Sequence, residues 1–74
     1  MSTHINLWIA DRLRKITGCD ISDHVLLLYR GKNQRTVSYY DCTNMKYFKA
    51  TVNFHITGFT ICNIREDKDK NTAA

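Results

Sequence analysis

The chain has no proline, one glutamate (Glu66), three widely spaced glycines and no long apolar run among its 74 residues. Without proline, repeats or a low-complexity tract, nothing before residue 65 reads as a linker, and the length allows one domain. No apolar stretch approaches the roughly 18 residues that span a bilayer, and no basic-then-apolar leader opens the chain. The expectation is a soluble, cytoplasmic protein with no membrane partner. Gly18, Gly31 and Gly58 belong to no G-x-G-x-x-G or Walker-type pattern, so no nucleotide cradle and no cofactor is expected. The cysteines Cys19, Cys42 and Cys62 are odd in number and form no C-x-x-C pair, which argues against a disulfide framework.

Catalytic and metal chemistry are equally thin. With Glu66 in the tail, a sheltered general acid or base would have to be Asp11, Asp20, Asp23 or Asp41. Structural zinc sites set two ligands on one tight turn. His4, His24, His55 and the three cysteines contain no such pair, and Cys19 with His24 is one pair without a second. Ser22-Asp23-His24 carries the residue types of a triad, but triad members converge from different elements and are rarely chain neighbours. The simpler reading is a loop in which Asp20, Ser22 and Asp23 satisfy backbone amides. An enzyme is not expected.

Two global features remain. A chain this short buries only about 60% of its unfolded surface, so its core needs a supplement. With disulfides and metal disfavoured, a second copy of the chain is the expected one. The formal charge of +4 is the second feature. Residues 1–64 carry all of it, because the three cations and three anions of residues 65–74 cancel. That is a mild bias toward anionic partners.

Residues 3–17 read as an amphipathic helix. Ser2 and Thr3 are natural N-caps, Ile5, Trp8, Ile9, Leu13 and Ile16 recur on one face, and Gly18 ends it. Leu7 lies off that stripe, either as a lone exposed leucine or as a second contact with a partner. Residues 24–29 (His-Val-Leu-Leu-Leu-Tyr) form an apolar run without alternation, the pattern of a strand covered on both faces. Residues 30–35 are turn chemistry and 35–40 alternate, which makes a β-hairpin with a polar tip. Residues 47–56 alternate most regularly, with Phe48, Ala50, Val52, Phe54 and Ile56 inward. Thr57-Gly58 fits a tight turn, 59–64 a returning, bulged strand, and 65–74 a disordered tail.

The predicted fold is therefore α+β: an N-terminal helix on a four-stranded antiparallel meander over residues 1–64, with a charged tail over 65–74. A strongly bent, barrel-like sheet is the open variant. The surface offers Leu7, the basic hairpin tip Arg30, Lys32 and Arg35, and an outward row of Tyr40, Tyr47, Lys49 and His55. Two functions fit. The leading one is a non-catalytic protein-binding regulator or inhibitor working as a homodimer. The alternative is a nucleic-acid-binding module in which tyrosines stack bases beside cations. Against the latter, Lys and Arg at hairpin tips and Tyr on a sheet face are common without any ligand.

Overall fold

The structure, a computed structural model, describes residues 2–72 and, within them, the side chains from Ile5 onward. Helix α1 (Ser2–Thr17) is followed by strands β1 (Leu26–Arg30), β2 (Gln34–Asp41), β3 (Lys46–His55) and β4 (Gly58–Glu66), then by a short helix α2 (Lys68–Thr72). The four strands form an antiparallel meander in the order β1-β2-β3-β4. The sheet is open, with β1 and β4 as its edges. The helix and the meander agree with the sequence expectation, although the N-cap side chains of Ser2 and Thr3 and the His4 ring lie outside the described side chains.

α1 ends as expected. The Gly18 amide closes the last turn on the Arg14 carbonyl at 2.9 Å, and Gly18 adopts φ 70, where an L side chain would be strained. The face it buries is turned from the expected one. Ile9, Ala10 and Leu13 are buried with Ile5 beside them, while Trp8 is 64% exposed and Ile16 is also exposed. A physical reason is Ala10. Its small side chain lets the helix approach the sheet, and the bulky indole is left outside, beside Arg12 and Phe59.

The helix covers one face of the sheet. Ile21 and Val25 ahead of β1, Val37 and Tyr39 of β2 and Ala50 and Val52 of β3 complete the core, with Phe48, Phe54, Phe59 and Ile61 packed around it. β3 departs from its expected alternation at Thr51, expected outward but buried on the face that Asp67 and α2 partly cover, and at Ile56, expected inward. The strand stops at His55, opposite Gly58, so Ile56 sits in the turn and is fully exposed. The expected irregularity of β4 is present as a one-residue register shift, with Asn63 at φ 53.

Two further expectations need correction. β1 is not covered on both faces, since all five of its residues are exposed along the sheet's edge. The tail expected to be disordered from residue 65 is structured through Thr72. β4 runs on to Glu66, Asp67 is buried and accepts from the Ser38 hydroxyl at 3.0 Å, and Asn71 bonds both backbone groups of Tyr47. Residues 73–74 lie outside the described residues.

Candidate functional site

β1 carries four consecutive exposed apolar side chains. Leu26, Leu27, Leu28 and Tyr29 are 49%, 45%, 47% and 61% exposed. Directly paired residues of an antiparallel ladder share a face. Leu27 pairs with buried Val37 and so lies on the α1 side, whereas Leu26 (opposite Ser38) and Tyr29 (opposite Thr36) lie on the outer face. A bulge between Leu27 and Tyr29 resets the alternation. Apolar side chains therefore flank both faces of this edge, and Leu7 of α1 joins Asp23, His24 and Val25 at its start. The approach to β1 is held by hydrogen bonds. Arg14 clamps the Ile21 carbonyl at 2.7 Å and pairs with Asp23, and the Ser22 hydroxyl accepts from the His24 amide at 3.2 Å. Asp23 thus engages a side chain rather than the backbone amides expected of it.

The basic hairpin tip forms as expected, and it gains an aromatic floor. Arg30 and Arg35 are direct cross-strand partners, and the Arg35 guanidinium lies 5.0 Å from the centre of the Phe54 ring. Together with Ile5, Lys32 and Gln34 they line a cleft of about 320 Å³. Among the described residues the ion pairs are Arg14–Asp23 and Lys15–Asp11, so Arg30, Lys32 and Arg35 have no carboxylate partner there.

Tyr40 and Tyr47 are brought together on the outer face, edge to face with ring centres 5.0 Å apart. The Lys70 ammonium of α2 sits 5.0 Å over the Tyr47 ring. With His24, Leu26 and Ser38 these residues line a cleft of about 440 Å³. Below it, the Ser38–Asp67 pair is out of reach of bulk water. Lys49 lies between Ser38 and Arg65 in the same face, half-buried. His55 is apart from all of these, at the β3–β4 turn, where its Nε2 meets the Thr60 hydroxyl at 3.1 Å.

The expected binding residues thus divide into separate surfaces. Arg35 points to the α1 side and Tyr40 to the outer face, five residues and about 17 Å along β2. The hairpin cations and the tyrosines do not make one platform. Leu7 and the β1 edge do adjoin. The sequence reading missed Leu26, Leu27, Leu28 and Tyr29, taken as a covered strand, Phe54, assigned wholly to the core, and Asp67 and Lys70, assigned to the tail. Asp67 carries the one available signal, as an N-cap three residues before the Lys70 amide it accepts from at 3.4 Å.

Among the described residues no three His, Cys, Asp or Glu side chains gather closely enough to hold a metal ion, and no helix is long and apolar enough to cross a membrane. Comparison with protein-family models, with curated proteins and with solved structures finds no match.

Proposed function

We propose that this chain is a non-catalytic protein-binding regulator or inhibitor whose contact surface is the β1 edge with Leu7 beside it. The observation that carries the reading is the exposure of Leu26, Leu27, Leu28 and Tyr29 on an edge strand. A free edge presents unpaired amides and carbonyls, and soluble proteins blunt such edges with proline, lysine or a covering segment. β1 is short and bulged at Leu27–Tyr29, but residues 26–29 contain neither proline nor charge, and no described element pairs beyond them. Strand addition suits this surface, with main-chain hydrogen bonds supplying affinity and the flanking side chains specificity. Leu27→Lys tests it by placing a charge at the centre of the edge. In affinity capture from the source cells, the wild-type chain should retain a partner, whether a second copy or another protein, that Leu27→Lys loses. Equal recovery by the two would refute the reading.

A second reading rests on the hairpin tip. Like charges directly opposite each other in a ladder repel, and Arg30 and Arg35 stand so with Lys32 nearby and no carboxylate partner. That arrangement suits nucleic-acid phosphates. It requires oligonucleotide binding at low salt that falls with slope about −0.7 per phosphate for single strands. Arg30→Glu, Lys32→Glu, Arg35→Glu should abolish it, whereas Leu27→Lys should leave it intact.

A further inference from the structure

We propose that the strand received by the β1 edge is β1 of a second copy, paired antiparallel about a two-fold axis normal to the sheet and passing between Leu27 and Leu28. This rests on the reading of β1 as a protein-binding edge, and it specifies the occupant and the register.

Three observations select this arrangement. The first is the face pattern. A two-fold normal to the sheet keeps each face on its own side, so residues that meet across it must share a face. The bulge puts Leu26 and Tyr29 on the same outer face, three residues apart. They can therefore stand opposite one another across the axis, Leu26 against the partner's Tyr29 and Tyr29 against the partner's Leu26. In the same register Leu27 comes level with the partner's Leu28, the bulge residue that has no β2 partner.

The second observation is charge. Asp20 and Asp23 precede β1, whereas Arg30 and Lys32 follow it. Antiparallel pairing carries the basic end of each copy toward the acidic end of the other, where Asp20 adds to an Asp23 that already pairs with Arg14. Parallel pairing would stack like on like.

The third observation concerns the other edge. Both edge strands carry a register shift, but β4 adds a residue in the left-handed conformation (Asn63, φ 53) and has Ile64 as its one exposed large apolar residue among those described, against four on β1. With one competent edge per copy, assembly closes at two chains and yields a continuous eight-stranded sheet with both α1 helices on one face. An open head-to-tail series would need β1 to pair with β4.

Disulfide trapping reads the register directly. In a chain with Cys19→Ala, Cys42→Ser and Cys62→Ser, the pair Leu26→Cys and Tyr29→Cys is introduced together and separately. Opposed antiparallel residues have Cα atoms about 4.5–5.5 Å apart, within disulfide reach, while residues 26 and 29 of one strand are about 10 Å apart and cannot bridge. The expected result is a covalent dimer from the doubly substituted chain under mild oxidation and none from either single variant. Light scattering on the unsubstituted chain should give twice the protomer mass at concentrations where trapping works. A cross-linked dimer from Leu26→Cys alone would overturn the antiparallel register. A strict monomer in light scattering would overturn the second copy as occupant. If that monomer still captures a different protein in a Leu27-dependent way, the protein-binding reading stands and only this inference falls.

Discussion

Asp41 organises the turn between β2 and β3. It is buried, and its carboxylate accepts from the Thr43 and Asn44 amides and from the Asn44 side chain, at 2.9, 2.9 and 2.8 Å. Burial pushes its pKa up, but the Asn44, Thr43 and Cys19 hydrogen bonds together outweigh burial and hold it below the usual carboxylate value. A lowered folded pKa means stability that is complete above the unfolded pKa of about 4 and is lost as the pH falls below it toward the folded value. Asp41→Asn should therefore cost about 1–3 kcal/mol at neutral pH. The gap from wild type in urea unfolding should narrow at pH values under about 4. A gap independent of pH would contradict this role. Tyr39, beneath α1, shows the opposite sign. Burial pushes its hydroxyl up to about 12, with Asp41 and Cys19 adding to the shift. Its contribution is full below the unfolded value of about 10 and is lost as pH rises through the folded one. Tyrosinate absorbance should show one ionisation delayed to that range, and Tyr39→Phe should remove it.

At the scale of elements, the same residue types have different weights according to the face they occupy. Leu13 is fully buried, so Leu13→Ala should cost about 2–5 kcal/mol. Trp8 is largely exposed, so Trp8→Ala should cost well under half of that in the same denaturation series, despite the larger side chain. Equal losses would mean that the expected stripe, with Trp8 inward, describes α1 better. β3 is legible in the sequence because it runs down the middle of the sheet, where alternation reports one covered and one uncovered face. β1 is not, because an apolar run looks alike whether two layers of the same chain cover it or a partner must. The existence of α1 follows from its period and Gly18, but its rotation depends on how closely Ala10 can approach β2 and β3. α2 is invisible to any hydrophobic pattern. What holds it is polar: Ser38 to Asp67, Asn71 to the Tyr47 backbone and to Glu66. The binding residues were legible as residue types, not as groups. Arg35 and Tyr40 share a strand but point to opposite faces, and Lys70 joins the tyrosines through a segment that composition alone assigns to solvent.

At the scale of the whole molecule, a core of nine buried apolar residues among those described leaves stability narrow, and the proposed pairing would couple it to association. Covering a half-exposed leucine or tyrosine is worth about 1 kcal/mol, so residues 26–29 of one copy supply about 4 kcal/mol and those of two copies about 8 kcal/mol. Lost translational and rotational freedom costs at least about 4 kcal/mol, so edge hydrogen bonds and Leu7 decide how tight the dimer is. Such a dimer has modest affinity and a melting temperature that follows concentration. Above the dissociation constant, a hundredfold rise in protein is worth about 1.4 kcal/mol per protomer. At roughly 4–8 °C per kcal/mol for a domain of this size, the melting temperature should rise by about 5–10 °C. In Leu27→Lys it should stay constant over the same range, because a lysine at the centre of each edge keeps the two copies apart. A constant melting temperature in the wild-type chain would place its stability entirely within one copy, and β1 would then need a different partner.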